Sequence, residues 1–154
     1  MSYPAFKLMH LLGVVLLLGN VIVTAVWKIA ADRHGESAVV AFAQRMVART
    51  DWAFTLPGAA LTIIGAHGMA WRGGFGMWQP GWIAWGHALF LLAGLVWLLI
   101  LVPTQVAQAR LAKAFDASAQ IPEHYWRLNR RWIGWGVAAT LLPVANLYLM
   151  VFKP

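Results

Sequence analysis

The sequence predicts an all-α integral membrane four-helix bundle, a single domain over residues 1–154, and three observations carry that prediction. Hydrophobic residues make up 61% of the chain and charged residues 11%, whereas a soluble domain carries about 25% charge. Four apolar stretches are each long enough to cross about 30 Å of hydrocarbon, which takes about 20 helical residues. The basic residues gather beside those stretches, where they set orientation. A disordered chain is excluded, because ten Trp and seven Phe would have to stay solvated. The chain has no Cys, which excludes disulfides, thiolate metal sites, iron–sulfur clusters and cysteine nucleophiles. A net charge of +7 would point to nucleic acid in a soluble protein. Beside apolar spans it reads as membrane orientation, so no nucleic-acid partner is expected.

The spans are expected at about 5–30, 52–71, 82–106 and 132–152. The first resembles a signal peptide only in position. Its apolar run is too long, and Trp27-Lys28 stands where a small-residue cleavage site would be, so it reads as a retained helix. Between Glu36 and Arg49, Val39, Phe42, Met46 and Val47 recur at helical spacing, which predicts an interfacial helix or an extension of a neighbouring span. Gln105 to Ala119 reads as an extension of the third span. Pro122-Glu123 then restarts the chain, with Pro at a first-turn position and an acid near the positive end of the new helix dipole.

Nine basic residues fall in the two connections after spans one and three, against Lys7, Arg72 and Lys153 at the other end. The positive-inside rule then places both termini and the Arg72–Pro80 turn outside. The expectation is a multi-pass protein of the bacterial inner membrane with periplasmic N- and C-termini. Tyr3, Trp71, Trp78, Trp82, Trp85 and Tyr148 mark an outer aromatic belt, and Trp27, Trp52, Tyr125, Trp126, Trp132 and Trp135 an inner one.

Three of five histidines lie inside spans. His10, His67 and His87 all fall roughly 6–8 Å below the outer boundary at 1.5 Å per residue. Ionisable groups at such depth usually face the bundle interior and mark function. His10 shares a helical face with Gly13, Leu17, Asn20, Thr24 and Lys28. His87 aligns with Leu91, Gly94, Leu98 and Gln105, with Gly94 leaving room for a flat ligand. On the second span, Asp51, Thr55, Gly58, Thr62, Gly65 and Met69 form a small-polar stripe suited to close helix packing or to a homo-oligomer. His67 sits about 160° from Gly65, which makes it the weakest ligand candidate and an interfacial or packing residue.

Two imidazoles at matched depth on facing helices are what haem b needs. His10 and His87 are the candidate axial ligands, with Gly13, Asn20 and Gly94 lining the ligand. The bland alternative is two separately hydrogen-bonded histidines. Thioether with imidazole suits Cu(I) instead. His67, Met69 and Met150 are the candidates there, with Met9 and Met77 nearby, although Met also fills irregular gaps. Gly73-Gly74 with Gly76 is too short for a phosphate cradle, and no span carries paired carboxylates. Asp51 reads as a boundary ion pair with Arg49, and Asn20 and Asn146 as interhelical amides. No catalytic residue stands out.

Lys7-Leu8-Met9-His10-Leu11-Leu12-Gly13 and the terminus Tyr148-Leu149-Met150-Val151-Phe152-Lys153-Pro154 resemble an uncharacterised bacterial family of small membrane proteins. More distantly, the four-span layout resembles HemJ-type protoporphyrinogen oxidases and CopD-type copper-resistance membrane proteins. The HemJ likeness implies haem b, with His10 at the place of the first-span histidine. The third-span basic residue of that group has no counterpart, since Trp85 to Pro103 contains no Lys or Arg. The CopD likeness implies copper. Three function classes follow: a cytochrome b-like electron carrier or oxidoreductase toward a quinone or tetrapyrrole, a Cu(I)-handling protein at the outer face, and a non-catalytic assembly partner in the lipid bilayer.

Overall fold

A computed structural model describes residues 1–76, 79, 81–115 and 120–154. Four long helices run antiparallel: α1 (Tyr3–His34), α2 (Ser37–Arg72), α3 (Gly81–Ala112) and α4 (Glu123–Phe152). All four are long and apolar enough to cross a membrane. The expected spans therefore fall within longer helices. The segment before the second span is no separate interfacial helix, because it runs on into α2. The third span ends at Ala112, and the expected continuation through Asp116 to Ala119 lies outside the described residues, as do Met77, Trp78 and Pro80. The two chain termini and the start of the 73–80 turn share one end, where Arg72 donates to the Met1 carbonyl at 2.9 Å. The opposite end carries the basic connections.

Local chemistry sets the helix boundaries. Pro4 occupies the first turn of α1, and Gly35 ends it in the left-handed conformation, φ 80°, its amide bonded to the Ala31 carbonyl. Pro122 is the N-cap of α4, with Glu123 in the first turn. Two helices are interrupted by single π-helical turns, Asp51–Thr55 in α2 and Trp97–Leu101 in α3. A proline stands two residues after each, Pro57 and Pro103. A proline ring clashes with the carbonyl four residues back and offers it no N–H; those carbonyls, of Ala53 and Leu99, lie inside the π-turns. Widening the turn to an i→i+5 pattern relieves both problems. Pro143 occupies the interior of α4.

The helices associate as two tight pairs. α1 and α2 meet through small residues. A Cβ at Gly65 would fall 2.5 Å from the His10 backbone nitrogen, and one at Gly58 2.7 Å from that of Leu17. The Gly58–Thr62–Gly65 stripe is thus used within the chain, where it lets two backbones touch. α3 and α4 meet at Gly86, whose carbonyl accepts from Asn146 Nδ2 at 3.1 Å. The pairs join chiefly at the basic end, where the first part of α2 packs on α3 beyond its π-turn. Toward the terminal end, α2 and α3 make no close backbone contact among the described residues. The apolar core is small, Val47, Leu101 and Trp132, and more polar than apolar side chains are buried. Leucine and valine cover the outside instead, with Leu12, Val15, Leu95, Leu99 and Leu141 all exposed. A chain dissolved in hydrocarbon needs this arrangement, because the surroundings reward apolar surface and the interior must satisfy polar groups.

Candidate functional site

The splayed helix pairs leave a cavity of about 380 Å³ lined by residues of all four helices. Its floor, toward the basic end, is Asp51, Thr55 and Gln105. Both π-turns border it: Asp51 and Thr55 come from one, Trp97 and Leu101 from the other, and Pro143 of α4 lines the far wall. Both π-turns thus fall on the cavity border, and π-bulges are frequent at functional sites.

Asp51 is buried and fully engaged. Its Oδ1 accepts from Asn20 Nδ2 at 3.2 Å and from Thr55 Oγ1 at 2.9 Å. Its Oδ2 accepts from Gln105 Nε2 at 2.8 Å. One carboxylate thereby ties α1, α2 and α3 together. The expected Arg49–Asp51 ion pair does not form. Residues two apart on a helix face different sides, so Arg49 is exposed while Asp51 turns inward.

Two donors bordering the cavity have no acceptor. The indole Nε1 atoms of Trp97 and Trp132 are buried without a hydrogen-bond partner. Trp97 lies close enough to the Asp51 carboxylate to act on it as a donor, though without a hydrogen bond of good geometry. Trp132 is only 7% exposed. A buried N–H without a partner is costly, about 1–3 kcal/mol, so such groups call for an explanation.

Below the floor, a second polar cluster closes the basic end. Lys28 is fully buried. Its Nζ donates to both Asp32 oxygens at 3.1 and 3.0 Å and to the Tyr125 hydroxyl at 2.9 Å. It also lies 5.6 Å from the centre of the Trp132 ring. Tyr125 donates on to Gln44 Oε1 at 3.5 Å, and Gln44 Nε2 to the Gln105 carbonyl at 3.4 Å. Lys28 therefore does more than mark orientation, and Lys28 with Asp32 at i,i+4 spacing was the sequence signal for it.

The histidines sit toward the terminal end, outside the cavity lining. His10 Nδ1 donates to the Thr62 carbonyl at 2.9 Å, inside the α1–α2 seam beside Gly13 and Gly65. His67 and His87 each donate from Nδ1 to the carbonyl four residues back, at 2.9 Å. Their rings meet edge to face, 5.1 Å apart at 80°. The structure thus pairs His87 with His67. Helical phase correctly separates His67 from Gly65, but α2 has neighbours on two sides: Gly65 faces α1 while His67 faces α3. The α3 face drawn from His87 to Gln105 is also broken, because the π-turn adds a residue and rotates everything after it. Leu91, before the π-turn, and Leu98, within it, are exposed, whereas Gln105, after it, is buried.

Of the proposed haem-lining residues, Gly94 borders the cavity, Asn20 holds Asp51, and Gly13 is occupied by α2. No His or Met lines the cavity, so an iron placed there would take no axial ligand from this chain. His10 lies in the α1–α2 seam, and His87 lies beside His67. Met150 reaches Gly86, next to His87, while Met69 is half-buried on α2. Among the described residues, no group of three or more His, Asp or Glu is arranged to hold a metal ion.

No functionally described protein and no solved structure matches the chain, so the likeness to HemJ-type and CopD-type proteins rests on the four-span layout and short motifs. Residues 4–154 match the family described as predicted integral membrane protein (DUF2269), and the chain belongs to that family.

Proposed function

We propose that this protein binds a lipophilic, carbonyl-bearing ring molecule of the quinone class between its two helix pairs. The observation that carries this reading is the pair of buried indole donors, Trp97 and Trp132, neither in a hydrogen bond of good geometry, on the border of an apolar cavity. Unsatisfied N–H groups complement an acceptor, and a quinone offers ring carbonyls on a body that partitions into hydrocarbon. Apolar cavities with a few convergent polar groups are the usual form of small-molecule sites. Asp51 sits on the same floor as the acidic group of the site, held by three donors. The quinone class is favoured over a tetrapyrrole because the lining supplies no axial ligand. The excess of basic residues at one end supports the orientation with that end in the bacterial cytoplasm and both termini periplasmic.

The test uses space as its variable. A Cβ at Gly94 or Gly136 would meet nothing within 4 Å, and both residues border the cavity. Gly94→Leu and Gly136→Leu should therefore fill it without disturbing the bundle. Protein purified gently from membranes should yield co-extracted quinone near one per chain, and each variant should lose most of it at unchanged thermal stability. Wild-type protein that carries no quinone and takes up none from quinone-loaded vesicles would refute the proposal.

A second reading places a metal at the terminal end, where one observation favours it. Each of His67 and His87 has Nδ1 on a carbonyl, which can only accept. The carbonyl therefore fixes a proton on Nδ1 of each ring. Two imidazoles on one tetrahedral ion, about 2 Å from each nitrogen, would set their ring centres about 5 Å apart. That geometry suits one small ion such as Cu(I), with Met150 near, better than haem b. Competition titration with Cu(I) should show binding that falls at least tenfold in His67→Ala. A low-spin haem spectrum lost in both His10→Ala and His87→Ala would establish haem b instead.

A further inference from the structure

A second concavity, of about 200 Å³, opens between α2 and α3 at the basic end. Its inner wall is Asp51, Trp97 and Gln105, which also border the central cavity. Its rim carries Trp52, Arg110 and Lys113. We infer that this groove is a binding site for an anionic phospholipid, its headgroup phosphate held by Arg110 and Lys113 and an acyl chain lying along α3 against Val106 and Trp52.

Charge is the first argument. Arg110 and Lys113 are exposed and make no ion pair with any described residue, whereas Lys28 is engaged by Asp32 and Arg130 by Glu123. Two cations on one rim, one and two helical turns past the apolar run of α3, suit a single phosphate. The only acid in the groove, Asp51, is turned away from a phosphate by the hydrogen bonds it accepts from Asn20, Thr55 and Gln105. The two rim cations repel the ammonium of a zwitterionic headgroup.

Depth is the second. The apolar run of α3 ends at Val106. Arg110 lies about 6 Å and Lys113 about 10 Å beyond it at 1.5 Å per residue, which is the headgroup layer bordering the hydrocarbon. Basic pockets between spans at that level recognise anionic headgroups. Trp52 is 60% exposed and packs edge to face on Trp97 at 6.4 Å. An amphipathic indole belongs at that boundary, and here it flanks the groove where a chain must turn from headgroup into hydrocarbon. The rim cations, Arg110 and Lys113, lie outside the lining of the central cavity.

The full chain, purified in a neutral detergent, should be titrated with a short-chain phosphatidylglycerol while thermal unfolding is followed by tryptophan fluorescence. Matched phosphatidylcholine and inorganic phosphate are the comparison ligands. Phosphatidylglycerol should raise the unfolding temperature saturably, and the other two should not. In Arg110→Gln/Lys113→Gln the apparent affinity should fall about tenfold or more. Arg127→Gln/Arg131→Gln, off the groove, should respond like wild type. Ala109→Trp, which fills the groove and leaves both charges, should also lose the response. An equal response to phosphatidylcholine, reproduction by inorganic phosphate, or a full response in either groove variant would each overturn the assignment.

Discussion

A carboxylate inside a bundle survives only if donors meet it, and at Asp51 three side chains from three helices do so. Asp51→Asn keeps the shape but turns one acceptor into a donor facing Asn20 or Gln105. It should lower stability by about 1–3 kcal/mol, read as a drop in the detergent unfolding temperature. Lys28 makes a sharper case. Removing it in Lys28→Met leaves the Asp32 carboxylate, whose side chain is 8% exposed, beside Tyr125 without a cation. The expected cost is about 3–5 kcal/mol, because an uncompensated buried charge is worse than none. Lys28→Met combined with Asp32→Asn should recover most of that loss. A double variant as unstable as the single one would show that the cation's contact with the Tyr125 and Trp132 rings, not the ion pair, is what matters there.

At the level of elements, the helix pairs obey different rules. The α1–α2 seam depends on missing side chains, so Gly65→Leu should force the helices apart and cost about 1–3 kcal/mol or more. Gly94→Leu, with open space around it, should be close to neutral, and comparing the two unfolding temperatures checks it. The π-turns follow from their prolines. Pro103→Ala restores an N–H for the Leu99 carbonyl, so Trp97–Leu101 should relax toward ordinary α-helix. Hydrogen exchange should slow there, and the residues after it should rotate, carrying Gln105 off Asp51. Unchanged exchange in the variant would mean that packing of Trp97 on Trp52, not the proline, sustains the turn.

For the whole molecule, burial runs opposite to that of a soluble protein: amides, hydroxyls and ions inside, leucines outside. The basic end is sealed by the Lys28 and Asp51 clusters, and the terminal half stays splayed. The chain has no cysteine, which makes its topology simple to check. Single cysteines at Ser2 and Lys153 should react with an impermeant thiol reagent from one side of intact cells or vesicles, and cysteines at Arg33 and Lys113 only from the other. Labelling of Ser2 and Lys153 from opposite sides would break the antiparallel four-span arrangement.

The composition and the four apolar runs determined the class, the number of spans and the pairing of both termini at one end, because membrane thickness and solvent chemistry act on length and hydropathy alone. The buried face of α1, with Gly13, Thr24 and Lys28, was legible from 3.6-residue phase, and so was the small-residue stripe of α2. Tertiary structure decided the rest. Asp51 and Arg49 stand two apart in sequence, yet only packing shows that one turns inward to Asn20 and Gln105. The spans at 52–71 and 82–106 were expected as continuous helices, yet a proline can kink a helix or widen it, and the structure shows a π-turn before each of Pro57 and Pro103. His67 meets His87 rather than His10 facing it, because α2 has one face for α1 and another for α3. A one-dimensional phase assigns a side chain its direction; which helix waits in that direction depends on how the two pairs lean together.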